Sequence, residues 1–298
     1  MVLAITSLSA FIRLARSGVG CTPWPACYGQ FTRTTAFIDD GRLQPGASDG
    51  AVAGARAAHR VLASSSLPVI LALLVLALRQ GLRREARLAA SLLALALFLA
   101  VLGAMTGSSR FPAVTLGNLL GGLAMFILSL RLALLAGSEG TPAHAPLAPW
   151  AWAALALSLL QVALGGLVSS GDAGLSCPAF GACDLGAASW RTLNPWNAPA
   201  AGTLPTHASG ALVHLLHRAV GLALLALLAL LAWRAERQAR PWTAALLLGL
   251  PLLQVLLGLG LVAQQLPLAP TWAHNAGAAL LLALLTWLTL AGEQREAP

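Results

Sequence analysis

Long unbroken apolar runs dominate the chain, in place of the alternation of a strand or the stripe of a surface helix. Runs near 61–78, 88–106, 111–136, 147–168, 211–233, 242–263 and 272–291 each approach the roughly 20 helical residues that cross a hydrocarbon core of about 30 Å. Lipid offers the backbone no hydrogen-bond partners, so such runs read as membrane-spanning helices. Only twelve residues precede Arg13, from Met1 to Ile12, too few to span unaided. No basic segment precedes them, as a cleaved signal peptide would require. They are expected to form helix 1, incomplete as a span.

The predicted fold is an all-α integral membrane bundle of eight transmembrane helices. Composition excludes the water-soluble alternative: 58% of the 298 residues are hydrophobic and 9% charged, with a mean hydropathy of +0.78, where a soluble domain carries about a quarter charged residues. All 18 basic residues are Arg, and the formal charge of +8 forms no patch that would suit a nucleic acid. Arg79, Arg83, Arg84 and Arg87 fall in one short loop, and Arg234, Arg237 and Arg240 in another. The positive-inside rule puts both loops in the cytoplasm. With eight spans, both chain ends then lie inside, and the long loops at about 18–57 and 171–209 lie outside.

All four cysteines sit in those outer loops, in CTPWPAC (Cys21, Cys27) and CPAFGAC (Cys177, Cys183). An oxidising outer face favours one disulfide within each loop. Free thiols, or a zinc site shared by all four thiolates, are the alternatives.

The two loops expose an internal repeat. Cys21 to Cys177 is 177 − 21 = 156, Cys27 to Cys183 is 183 − 27 = 156, and Gly18 and Gly174 share that offset, with Trp24 matched by Phe180. His59-Arg60 answers His217-Arg218 at 217 − 59 = 158, and His274 maps to 274 − 156 = 118, which is Asn118, with Thr115 and Thr271 in step. The chain therefore divides into homologous halves, 1–140 and 141–298. Positions 59, 118, 217 and 274 fall near the outer ends of helices 2, 4, 6 and 8.

Ionisable residues within a membrane usually face the bundle interior and serve function. A lone histidine near a helix end is more often an interfacial group bound to water. Two histidines at matched depth on alternate helices, His217 and His274, argue against that reading. Haem iron takes two axial imidazoles, and a four-helix bundle buries its macrocycle. Zinc needs a third or fourth ligand, for which only His214 is near. His214 shares a face with His217 and is a candidate ligand, propionate partner or proton carrier. Arg60 and Arg218 are candidate propionate partners, although an interfacial Arg is as often snorkelling.

The segments RLARSGVGCTPWPACYG, HLLHRAVG and QVLLGLGLVAQQLPLAPTWAHNAGAALLL resemble the haem A synthase family of cytochrome oxidase assembly proteins over nearly the whole chain. The resemblance implies eight helices in two halves, a disulfide in each long outer loop, and a b-type haem between His217 and His274. It also implies that the N-terminal half receives haem O and oxidises a methyl group to the formyl of haem A, with His59 as its catalytic histidine and iron ligand. Two positions depart from the family pattern: its second N-terminal histidine is Asn118, and its acidic residue three positions before the helix-2 histidine is Arg56.

The expected function is a haem A synthase-type oxidoreductase in a bacterial cytoplasmic membrane, with haem b as cofactor, haem O as substrate, and an electron donor and a haem O synthase as partners. The alternative is a non-catalytic b-haem protein that carries electrons or handles haem during oxidase assembly. A transporter is a third reading, for which Pro68 and Pro251 are the only helix-breaking candidates well inside spans.

Overall fold

A computed structural model describes residues 1–29, 44–105, 109, 111–137, 147–179, 183–200 and 203–293. Phe180 and the boundary between residues 140 and 141 lie outside the described residues. The described residues are helical apart from connecting loops and one isolated antiparallel bridge, Thr22 to Gln44, closed by two 2.8 Å hydrogen bonds.

The long helices are α1 (Val2–Ser17), α2 (Asp49–Arg79), α3 (Arg83–Met105), α4 (Pro112–Gly137), α5 (Ala148–Ser170), α6 (Ala211–Arg237), α7 (Pro241–Ala263) and α8 (Leu268–Glu293). Seven of them are long and apolar enough to cross a membrane; α1, with 16 residues, falls short. Gly18 stops α1 in the left-handed region at φ 83°, a conformation that costs a residue with a Cβ. Proline at the first position starts α7, where its missing N–H would be unpaired anyway.

The helix α2 begins twelve residues before the apolar run that predicted it. Ser48 caps it, its Oγ accepting from the Ala51 N–H at 3.2 Å, and the segment DGAVAGARAAHR is rich in alanine and arginine. Helix propensity and a cap thus carry it past the hydrocarbon boundary that hydropathy detects.

Neighbour relations follow the chain. The helices α1 to α4 pack on one another in sequence and α4 returns to α1, while α5 to α8 do the same and α8 returns to α5. Contacts of α4 with α5, and of α8 with α1 and α4, join the two sets. The most enclosed span is α8, half of its apolar window being buried. Its Leu282, Leu285 and Leu288 meet Leu228 and Leu231 of α6 and Leu247 of α7 in a closed leucine core. Leucines and Phe98 on the outer faces of α2, α3 and α7 remain exposed, as expected where the surrounding solvent is lipid.

Above that core, a second cluster of Leu14, Val19, Tyr28, Leu175, Leu261 and Leu266 docks the first long loop against the turn between α7 and α8. Cys21 is bonded to Cys27 across a Cα–Cα distance of 6.0 Å, and Cys177 to Cys183 across 4.8 Å. Each disulfide closes within its own loop, and a shared thiolate site is ruled out.

Candidate haem-ligating site

The α5–α6 and α7–α8 pairs bring His217 and His274 face to face. Each stands six residues after its helix begins, at Ala211 and Leu268, so the two lie at one depth. Their ring centroids are 6.4 Å apart with the planes at 71°. Two metal–nitrogen bonds of about 2 Å, with about 1.2 Å from ring centre to nitrogen on each side, put two axial imidazole centroids roughly 6 Å apart. The pair therefore fits a single iron between two rings.

Hydrogen bonding selects the nitrogen that would meet a metal. The Gln161 main-chain carbonyl lies 3.2 Å from His217 Nδ1; a carbonyl only accepts, so Nδ1 carries the proton and Nε2 keeps its lone pair, which the Gln161 side-chain amide approaches at 3.5 Å. On the other side, His274 Nδ1 is buried and makes no hydrogen bond. A methyl group at Gly165 would lie 2.9 Å from His217 Cε1, and one at Gly258 3.6 Å from His274 Cε1. Each histidine thus rests on a glycine of the preceding helix.

These flanking residues repeat as QVALG at 161–165 and QVLLG at 254–258, at an offset of 254 − 161 = 93. Both glutamines lie nine residues before the end of their helix. Their side-chain amides lie over Gly221 and Gly277, one turn further along the helices from His217 and His274. The sequence reading overlooked these glutamines and glycines, although the repeated pentapeptide was visible.

His214 lies one turn nearer the start of α6 than His217; it is 5% exposed, and its Nδ1 has no hydrogen bond. No ring contact ties it to the pair among the described residues. Arg218 Nη1 reaches the sulfur of Cys177 at 3.7 Å, which sets it beside the second disulfide at the loop end of α6. Among the described residues, no cluster of three or more His, Cys, Asp or Glu is placed to hold a metal ion.

The corresponding positions of the N-terminal half are more open. His59 is half-buried ten residues into α2, with Arg56 and Arg60 exposed on either side. Asn118, six residues into α4, donates to Ser9 Oγ of α1 at 3.5 Å. No hydrogen bond or ring contact joins His59 to Asn118 among the described residues. The repeat offset pairs Ser9 with Gly165, since 165 − 9 = 156: where the C-terminal half rests an imidazole on a glycine, the N-terminal half has a hydroxyl holding an amide.

A further polar group was missed in sequence. Arg13 of α1 donates to Ser169 Oγ of α5, and to Asn275 Oδ1 of α8 at 3.3 Å. The Tyr28 hydroxyl donates to Asp172 Oδ1 at 2.8 Å. Burial, and then the Asp172 carboxylate, hold the Tyr28 phenol well above its ordinary range.

Residues 54–286 match the model of a family described as cytochrome oxidase assembly protein. A haem A synthase of Shewanella oneidensis is 31% identical over 306 residues, covering 97% of this chain and 92% of its own. A haem A synthase of a Caulobacter species is 34% identical over 178 residues, covering 55% of this chain and 48% of its own.

Proposed function

Since the chain belongs to the family of cytochrome oxidase assembly proteins, we propose that it is a haem A synthase-type membrane oxidoreductase that converts haem O to haem A by oxidising a methyl group to a formyl. The observation that carries this reading is the opposed pair His217 and His274, 6.4 Å apart, in a chain that aligns with 92% of a haem A synthase.

His217 and His274 hold a b-type haem in the C-terminal half. When bound, that haem supplies one-electron transfer. Gln161 fixes the tautomer of His217 through its carbonyl, and Gly165 and Gly258 let both rings approach their neighbouring helices. The leucine core below excludes water, and Arg218 at the outer rim is placed to pair with a propionate. In the N-terminal half, His59 offers one imidazole to the iron of the substrate haem O. Its half-exposed position on α2 leaves a way in from the lipid or the outer face.

The same reading gives the chain eight spans in two homologous halves, 1–140 and 141–298, with both ends in the cytoplasm and the disulfide loops outside. Two observations support it: each set of four helices closes on itself, and positions 118, 217 and 274 all stand six residues into their helices. A haem O synthase that supplies substrate and a donor that supplies electrons complete the reaction.

A second reading, a b-haem protein without catalysis, is favoured by one observation: Asn118 is engaged with Ser9 and not with His59; Arg56, where the family resemblance implies an acid, agrees with it. Co-expression with a haem O synthase in a host lacking haem A decides between them. Haem A or its hydroxylated precursor in extracted membranes, abolished by His59→Ala, supports the synthase. Unaltered haem O beside a fully loaded C-terminal haem refutes it.

A further inference from the structure

Arg13 is a cation from the first helix set into the seam beside the C-terminal site. It is largely enclosed, and its hydrogen bonds go to two neutral groups, the Ser169 hydroxyl and the Asn275 amide. The nearby carboxylate, Asp172, accepts from Tyr28, and no carboxylate hydrogen-bonds Arg13 among the described residues. A guanidinium cannot shed its proton in a protein, so a full positive charge stays in a low-dielectric place, hydrogen-bonded among the described residues only to neutral groups, an arrangement that costs stability.

Its position links that charge to the haem ligands. Asn275 follows His274 in sequence, and its amide is pinned from both ends: Oδ1 accepts from Arg13, and Nδ2 donates to the Thr271 carbonyl at 2.8 Å. Ser169 is the repeat partner of Arg13 itself, because 169 − 13 = 156. Equivalent residues of two homologous halves that touch lie on the seam between them. Arg13 thus stands between the half that holds His217 and His274 and the half that holds His59.

A fixed positive charge hydrogen-bonded to the residue that follows a haem ligand would favour the state in which the iron carries one electron more. Charge near a haem is one of the means by which a protein sets its reduction potential. We infer that Arg13 is a positioning residue which, through Asn275, raises the reduction potential of the haem held by His217 and His274, so that this haem accepts electrons readily at the seam facing the substrate half. The inference rests on the haem assignment made under the proposed function.

The test is a redox titration of the purified protein, following the low-spin b-type spectrum. Arg13→Gln removes the charge and keeps a donor; Arg13→Lys keeps the charge and changes the shape; Ser169→Asp leaves Arg13 in place and sets a carboxylate against it. The expected result is a lowered potential in Arg13→Gln and Ser169→Asp and a near-unchanged one in Arg13→Lys, with haem content equal in all. If Arg13→Gln fails to fold, Ser169→Asp against Arg13→Lys still decides the point. Equal potentials in all variants, or equal shifts in Arg13→Lys and Arg13→Gln, overturn the inference. A purified unsubstituted protein with no b-type spectrum overturns instead the haem assignment on which it rests.

Discussion

A single methyl group at Gly165 tests the ligand geometry most directly. In Gly165→Ala the new carbon lies 2.9 Å from His217 Cε1, 3.3 Å from Nδ1 and 3.7 Å from Nε2, whereas carbon atoms rest about 3.5–4.0 Å apart. The ring has to retreat by roughly 0.5–1 Å. Retreat also stretches the hydrogen bond of Nδ1 with the Gln161 carbonyl at 3.2 Å. Overpacking of this kind costs about 1–3 kcal/mol. A ring also held through Nε2 by a haem would have less freedom to tilt away, so the cost falls mainly on the haem-bound state, and a tenfold change per about 1.4 kcal/mol makes haem retention roughly 5- to 150-fold weaker.

Gly258→Ala is the matched control. Its methyl group meets His274 Cε1 at 3.6 Å, an ordinary contact, and both substitutions gain about 0.5–1 kcal/mol of helix stability. Transfer of haem from each purified variant to an excess of apomyoglobin, followed by absorbance, gives the dissociation rates. The expected order is Gly165→Ala well ahead of Gly258→Ala, with Gly258→Ala close to the unsubstituted protein. If Gly165→Ala retains haem as firmly as Gly258→Ala, His217 is not held against α5 as a ligand, and the geometric argument fails.

His217→Ala or His274→Ala should remove or convert the low-spin b-type spectrum, while His59→Ala leaves it intact; retention in both C-terminal variants makes His214 the first suspect. The 71° angle between the imidazole planes should give a strongly anisotropic low-spin electron paramagnetic resonance signal, and a signal typical of parallel rings counts against this ring arrangement. Raised above its ordinary value in the native protein, the Tyr28 phenol contributes stability that is complete below about pH 10 and lost as pH climbs toward the native value. Alkaline thermal melts should show that loss, and Tyr28→Phe, less stable at neutral pH by about 1.5–3 kcal/mol, should lack it. Restoring the family pattern with Asn118→His and Arg56→Glu should raise the haem A yield in the co-expression assay; an unchanged yield means these positions do not limit the reaction.

The spans were legible because their hydropathy signal is unmistakable, and the loop disulfides because the cysteines sit in pairs in segments of like polarity. His217 and His274 were legible through the repeat offset, which conveys depth without any structure. The long entry of α2 was not, because a capped alanine-rich helix leaves no mark in hydropathy; His59 consequently stands deeper in its helix than the apolar run alone indicates. Gln161, Gly165, Gln254 and Gly258 escaped notice because glycine and glutamine in an apolar run read as packing or gaps until an imidazole is seen lying on them. Arg13 looked like the polar end of a short helix, and only its contacts with α5 and α8 show that it is interior.

The late partners of α1 have a consequence for biogenesis. A guanidinium within a membrane bundle is costly until it has hydrogen-bond partners, and Arg13 of α1 finds its partners on α5 and α8, Ser169 and Asn275. A second link to α8 is the Trp272 indole, which donates to the Ser7 carbonyl at 2.8 Å. Some 250 residues separate Ser17 from Leu268, which at about 5–20 residues per second takes a ribosome roughly 12–50 s to translate. During that interval α1 can pack on α2 and α4 but lacks its contacts with α8. Nascent chains arrested before Leu268 should therefore leave α1 open to extraction or proteolysis, and those arrested well beyond it should not.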